Sequence, residues 1–354
     1  MSLLLETLSQ ITPLDKEIME KVQLRLDSLI KPEGSLGRLE EIVKQYAGIR
    51  KEESPELPRT CMVVACADHG VAINQISAYP IETTAQMTKN YVGAKGASAN
   101  ALANFSGADM VVVDVGVAAD LSDTAGLWHR KIAFGTKDFT KGPAMTREEA
   151  IMAIETGIEI VTNRVRAGYR CFSLGEMGIS NTTSSAAIVT AFSNLTPEQA
   201  TGRGTGISDS RLAFKINIVR QALEINQPNP QDGLDVLAKI GGFETGLLAG
   251  VILGAAANRC MVVIDGLNTT AAALIAHAIE PMSTSFLVPS HLSGEPAHII
   301  ALKLLGLEAC IDMGIRLGEA IGASIVVDIL GVSIKMLNNM TTFETANVSN
   351  KLVD

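Results

Sequence analysis

Aromatic residues are scarce, 4% of 354 positions with one Trp and four Tyr. A chain so poor in rings and so rich in Ala, Val, Ile and Gly points away from a β-sandwich and towards α/β layers. Charged residues are also few, 19% against 47% hydrophobic, which excludes a disordered chain and leaves ample material for a buried core. Positive charge is in deficit: 29 Lys and Arg face 38 Asp and Glu, a net charge of −9. Sequence-independent nucleic-acid binding needs a basic surface, so no nucleic-acid partner is expected, although a local anion site stays open. The five cysteines are odd in number, mostly lie in apolar runs and show neither C-x-x-C nor zinc spacing. They read as reduced core thiols. The apolar run at Met1–Leu5 is too short for a secretory leader and lacks a basic flank. The longest uncharged stretch, Met177–Pro197, is full of Ser, Thr and Asn and does not read as a membrane span. The expectation is a cytoplasmic protein with no membrane partner.

Two kinds of segment are present. Near the start, Thr12-Pro13 reads as a helix cap with Pro at the first helical position, followed by an apolar stripe of Leu14, Ile18, Val22, Leu26 and Leu29. A second helix is expected over 37–46. Five short apolar runs then recur, at 61–67, 110–116, 171–176, 261–266 and 284–290, separated by helix-like segments. Runs apolar on both faces and alternating with helices imply a parallel sheet covered on both sides. The ligand crevice of such a sheet lies beyond the carboxyl ends of its strands. Here those ends carry Asp68-His69, Asp114, Glu176, Asp265 and Ser290-His291. From Leu302 to Met340 the pattern reads as helical again, and the two helical ends of the chain are expected to pack as a small second domain. The expected division is 1–58 and 301–354 for the helical parts and 59–300 for the α/β domain.

Four loops carry candidate chemistry. Gly175-Glu-Met-Gly-Ile-Ser-Asn-Thr-Thr follows a strand-like run and precedes a helix-like one. Small residues, helix-start N–H groups and hydroxyls suit a phosphate, or simply a helix-capping loop. Gly202-Arg-Gly-Thr-Gly-Ile-Ser is a second Gly-rich loop, neither Walker A nor GxGxxG, and reads as a phosphate loop or a mobile surface loop. Lys215 follows it, a phosphate partner or a solvated helix residue. Ser290-His-Leu-Ser-Gly-Glu-Pro-Ala-His holds three metal-ligand types within nine residues, yet Pro296 spoils a single helical ligand face. A loop that hydrogen-bonds a sugar or phosphate is the better reading. In Gly314-Ile-Arg-Leu-Gly-Glu-Ala-Ile-Gly-Ala, Glu319 sits in an apolar setting that should raise its pKa, as a general base near neutrality needs. The alternative is a helix-start Glu balancing a dipole. Asp68-His69 reads as an acid–base pair or as a turn cap. No adjacent acidic pair follows an apolar run, as pyrophosphate-sugar phosphoribosyltransferases require, and no G-x-S-x-G or H-E-x-x-H occurs.

Together, Lys31-Pro-Glu-Gly-Ser-Leu-Gly-Arg-Leu-Glu, Ala67-Asp-His-Gly-Val, Gly142-Pro-Ala-Met-Thr-Arg-Glu-Glu-Ala, Gly175-Glu-Met-Gly-Ile, Gly202-Arg-Gly-Thr-Gly and Arg316-Leu-Gly-Glu resemble the nicotinate-nucleotide:dimethylbenzimidazole phosphoribosyltransferase family, in order, over about residues 12–348. The resemblance implies a Rossmann-like parallel sheet flanked by helices, with a small helical domain built from both chain ends, working as a dimer. It implies transfer of 5-phosphoribose from nicotinate mononucleotide to an aromatic base, with inversion, in activation of the cobamide lower ligand, and neither metal nor organic cofactor. It places the catalytic base on Glu319 and the second carboxylate on Glu176. Gly178, Thr182, Gly204 and Lys215 would hold phosphate with Ser293 nearby, and Tyr79 and Gln86 would belong to the base pocket.

Departures from the family pattern bear on the acceptor. Glu319-Ala-Ile-Gly-Ala stands where Glu-Gly-Ser/Thr-Gly-Ala is usual, Ser180 where Gly is usual, Leu267 where Phe is usual, and Glu295-Pro-Ala-His where Gly is usual before His. One branch of the family activates phenol or p-cresol as a heterodimer of two related chains, and this chain fits such a subunit as an alternative. A silent partner subunit and a nucleotide hydrolase using the same site are the competing classes.

Overall fold

The computed structural model describes residues 2–351. Six strands form one parallel sheet: β1 (Arg59–Ala67), β2 (Asp109–Gly116), β3 (Trp128–His129), β4 (Tyr169–Met177), β5 (Met261–Ile264) and β6 (Leu287–Pro289), in the spatial order β3-β2-β1-β4-β5-β6. The continuous apolar runs explain the buried strands. Val63 of β1 lies between Val111 of β2 and Leu174 of β4, so neighbouring strands present matched aliphatic rows to helices on both faces. Phe172 is fully buried in β4, where truncation to Ala costs about 3–5 kcal/mol. Two elements escaped the sequence: the helix Leu3–Gln10, and β3, whose two residues carry no periodic signal.

The chain ends meet. Helix Arg38–Arg50 packs on helix Ile321–Asn339, which in turn lies against β4. Leu29 bridges to Thr342, Ile30 N–H donates to Thr341 O (3.1 Å), and Arg25 donates to Met340 O (2.7 Å). Helix Ile321–Asn339 is long and apolar enough to cross a membrane by length and composition, yet 44% of its most apolar window is buried against the protein's own core. One apolar core runs without a break through these helices and the sheet, from Leu26 and Ile42 through Val64 to Val326. Residue 58 immediately precedes β1, whereas residue 300 falls inside helix Pro296–Leu304, which packs on helix Leu267–Ile279.

Three local readings change. The first predicted helix starts at Lys16, because Asp15 Oδ1 caps Ile18 N–H (3.0 Å), while the Thr12 and Pro13 carbonyls accept from Arg259 instead. The second helix runs on to Arg50. Residues 305–320 are not helical: Gly306 and Gly314 hold φ of +67° and +66°, and the chain crosses the sheet's carboxyl end as an open strap before helix Ile321–Asn339 begins.

Candidate active site

Strand order reverses between β1 and β4, and the crevice there opens into a cavity of about 730 Å³ at the carboxyl ends of the strands. Its walls bring together Glu319, Glu176, Tyr79, Gly178, Thr182, Gly204, Lys215 and Ser293 from segments more than 200 residues apart.

One end of the cavity is built on carboxylates. Glu176, the penultimate residue of β4, is 7% exposed. Asn268 Nδ2 donates to its Oε1 (2.8 Å), Asn181 Nδ2 donates to its Oε2, and Ser185 Oγ fixes Asn268 by donating to its Oδ1 (2.7 Å). Burial pushes the Glu176 carboxyl up to about 7, against the two amide donors, with Glu244 and Glu319 adding to the rise. Glu319 is 8% exposed, with Oε2 lacking any hydrogen-bond partner. Burial raises its pKa too, opposed by the neighbouring Tyr91 hydroxyl and Ala99 N–H. Two glycines let these carboxylates share a wall. A Cβ on Gly175 would stand 2.9 Å from Ala320 N, and one on Gly318 would overlap the Glu176 carboxylate. Glu319 and Ala320 hold φ of +67° and +61°, a strained pair costing about 1–2 kcal/mol each, which turns the strap into the final helix and presents Glu319 to the cavity.

The other end is built on a cation. Lys215 belongs to helix Asp209–Asn226, capped by Ser208, and is 2% exposed. Its Nζ donates to Thr182 Oγ1 (2.8 Å) and Gly202 O (3.2 Å), both neutral. Burial lowers its pKa to about 8, opposed by Glu295. Glu295 Oε1 accepts from Gly204 N–H (2.9 Å), and Gly204 reaches over Thr182 with a φ of +52°. Helix Asn181–Phe192 points its N-terminus at the same region, so a buried ammonium and a positive helix end converge, as an anion site requires. Ser293 is held by its N–H, which donates to His298 Nδ1 (2.9 Å).

The remaining wall comes from the helix Glu82–Val92 side, with Tyr79 57% exposed and Thr83, Met87, Leu267 and Leu317 beside the opening. Gln86 is the one site candidate outside the cavity. Thr84, Thr88 and Tyr91 take the core face of that helix, Thr83 and Met87 take the cavity face, and Gln86 points to the exterior. Ile321 likewise lies outside the lining, whereas Leu267 is part of it.

Asp68 and His69 are not an acid–base pair with each other. His69 Nε2 meets Glu244 Oε1 (2.8 Å) in a fully buried hydrogen bond, and Asp68 Oδ2 accepts Ala118 N–H (2.7 Å). Burial pulls His69 down, but the carboxylates of Glu244, Asp68 and Glu176 together outweigh it and raise the imidazole. In the Ser290 loop, Glu295 goes to Gly204, His298 to Ser293 and Thr270, and His291 to Ser290. Among the described residues no three His, Cys, Asp or Glu side chains gather as a metal would require. Sequence reasoning missed Asn268 and Tyr91 beside the carboxylates; Asn181 and Glu295 lie in loops it singled out but were given no role of their own. Asn268, three residues past Asp265 at a strand end, carried a positional signal, and Tyr91 did not.

A family model described as Phosphoribosyltransferase matches residues 11–348. The nicotinate-nucleotide–dimethylbenzimidazole phosphoribosyltransferase of Chloroflexus aggregans is 47% identical over 351 residues, 99% of each chain. That of Geobacter metallireducens is 46% identical over 98% of each. A crystal structure of CobT from Thermus thermophilus superposes with a TM-score of 0.90 at 39% identity, covering 95% of this chain and 100% of that one.

Proposed function

The chain belongs to this phosphoribosyltransferase family, and from that premise we propose that it moves 5-phosphoribose from nicotinate mononucleotide to 5,6-dimethylbenzimidazole or a related base. The products are nicotinate and an α-ribazole 5′-phosphate for the cobamide lower ligand. The observation that carries the reading is the pair of desolvated carboxylates, Glu176 and Glu319, facing one cavity whose far end holds the buried Lys215.

Chemistry follows from that layout. The pyridinium of the donor leaves as a neutral ring, so the leaving group needs no proton. A ring nitrogen of the acceptor attacks the anomeric carbon, the bond to nicotinate breaks, and the acceptor's N–H proton passes to Glu319 as general base. Glu176, oriented by two amide donors, in its ionised form faces the positive charge that develops on the sugar. Lys215, Thr182, Gly178 and Gly204, with Ser293, hold the phosphate, and Tyr79 borders the acceptor. In this reading the enzyme works in the cytoplasm as a dimer.

A second reading rests on Leu267. A Leu on the cavity wall where the family usually has Phe removes a ring that would stack on a bicyclic base and favours phenol or p-cresol, with this chain as one subunit of a heterodimer. Product analysis tests both. Purified chain with nicotinate mononucleotide and dimethylbenzimidazole is expected to give equal amounts of nicotinate and α-ribazole phosphate. Ribose phosphate formed without a base marks a hydrolase; no nicotinate release under any condition marks a silent subunit.

A further inference from the structure

His291 stands at the end of β6, on the cavity wall, with its ring fully buried. The neighbouring His298, 6.1 Å away between ring centroids, uses both nitrogens: Nδ1 accepts from Ser293 N–H (2.9 Å), so Nε2 carries the proton and donates to Thr270 Oγ1 (3.0 Å). His291 differs. Ser290 Oγ donates to the Asp265 carbonyl (3.3 Å), so its oxygen accepts from His291 Nδ1–H (3.0 Å), with Asp265 Oδ1 3.8 Å from the same nitrogen. Burial favours the neutral ring, in which Nδ1 keeps the proton and Nε2 is left with a lone pair. That Nε2 has no partner.

The ring is also fixed in direction. Gly322 packs so tightly on its Nδ1 side that any Cβ there would overlap it. On the Nε2 side the packing is looser, at ordinary van der Waals distance with no overlap. A Cβ built on Gly266 would lie 3.6 Å from Nε2 and 3.8 Å from Ser293 Cβ, with no nearer neighbour outside its own chain segment. Gly266, Ser293 and His291 all line the cavity, so this is an atom-sized recess in its wall, next to Asn268 of the carboxylate end and Ser293 of the phosphate end.

A lone pair takes only a donor. Of the groups on the donor nucleotide, the phosphate and the nicotinate carboxylate are acceptors at neutral pH, and the 2′ and 3′ hydroxyls alone can donate. The N–H of the acceptor base belongs to Glu319. Resting on the phosphoribosyl-transfer reading, we propose that His291 Nε2 accepts a hydrogen bond from a ribose hydroxyl of the donor, which enters the recess left by Gly266 and seats the sugar between Glu176 and the phosphate cradle.

The test compares kcat/KM for nicotinate mononucleotide and its 2′-deoxy and 3′-deoxy analogues across the wild type, His291→Phe and Gly266→Ala. Phe fills the ring's place without a lone pair. Ala at Gly266, whose φ of −92° suits any residue, leaves His291 intact and closes the recess. The wild type should lose about tenfold on one deoxy analogue, and each variant should lose about tenfold on the ribonucleotide with little further loss on that same analogue. Where His291→Phe does not fold, Gly266→Ala decides alone. Equal losses on all three donors would make His291 a scaffold residue and overturn the proposal. So would a wild type that uses the ribonucleotide and both deoxy analogues equally. A wild type that does not turn over the ribonucleotide at all overturns the functional reading, and this proposal with it.

Discussion

At one end of the cavity, Glu176 and Glu319 are brought together by the close approach at Gly175 and Gly318, both raised in pKa; at the other, Lys215 donates to Thr182 and Gly204 donates to Glu295, two hydrogen-bonded pairs side by side. The first end stores protonation energy that a reacting N–H can draw on. The second is organised before substrate arrives, with an ammonium whose hydrogen bonds go only to neutral oxygens, so no carboxylate is hydrogen-bonded to it where a phosphate would sit. Under the proposed function, the contrast amounts to a division of labour: chemistry at the carboxylates, holding at the lysine.

The greatest loss should come from disabling the first end alone. Glu319→Gln keeps the shape but cannot accept a proton, and kcat should fall by roughly 10²–10⁴-fold. Steady-state assay with saturating base checks it, and retention of more than half the activity at neutral pH removes Glu319 from the role of base.

Acidity probes the same end. In the proposed mechanism both carboxylates act ionised, and burial raises both, Glu176 to about 7. The acid limb of kcat/KM should therefore lie near neutrality, with activity lost as pH falls below about 7. Stability runs the opposite way. The folded protein keeps a proton on Glu176 that an unfolded Glu, near 4.5, has released, so this contribution is complete below 4.5 and is lost as pH rises to about 7. A limb near 4.5 in the pH–rate profile contradicts the desolvation argument.

Smaller effects belong to the acceptor wall. Leu267→Phe should raise the preference for dimethylbenzimidazole over p-cresol by roughly 2- to 10-fold in a competition assay; an unchanged ratio places Leu267 away from the acceptor. Least of all is Ser180→Gly. Ser180 holds a φ of +76° with its buried hydroxyl unpaired. Glycine relieves the strain at the cost of a freer unfolded chain, a net gain of about 0.5–1 kcal/mol, read as a Tm about 1–2 °C higher.

The two ends were not equally legible. The strands were, because β1, β2 and β4 are buried on both faces and need continuous apolar runs, and their polar ends marked the crevice. Glu176 and Glu319 drew attention through the glycines and apolar residues beside them, Lys215 only by following a Gly-rich loop, and the resemblance to the family gave all three their roles. Their partners did not: Asn268 meets Glu176 across 92 residues and Glu295 meets Gly204 across 91, and nothing local in a sequence encodes such a distance. Gln86 lies outside the cavity lining for a different reason. A helix assigns faces by phase, and the buried Thr84, Thr88 and Tyr91 set a phase that leaves Gln86 outside. The strap at 305–320 read as helix with its flanks, yet Leu305, Leu307, Ala309, Ile311, Met313, Ile315 and Leu317 alternate as in an extended chain, and left-handed glycines at 306 and 314 break any helix.

Calorimetric binding of nicotinate mononucleotide to Glu319→Gln and Lys215→Ala, side by side, puts the division of labour itself to the test. The account predicts that the inert Glu319→Gln protein binds the nucleotide as the wild type does, while Lys215→Ala binds it roughly 10- to 100-fold more weakly through loss of a charge-assisted contact. Weakened binding in Glu319→Gln together with wild-type affinity in Lys215→Ala would contradict it.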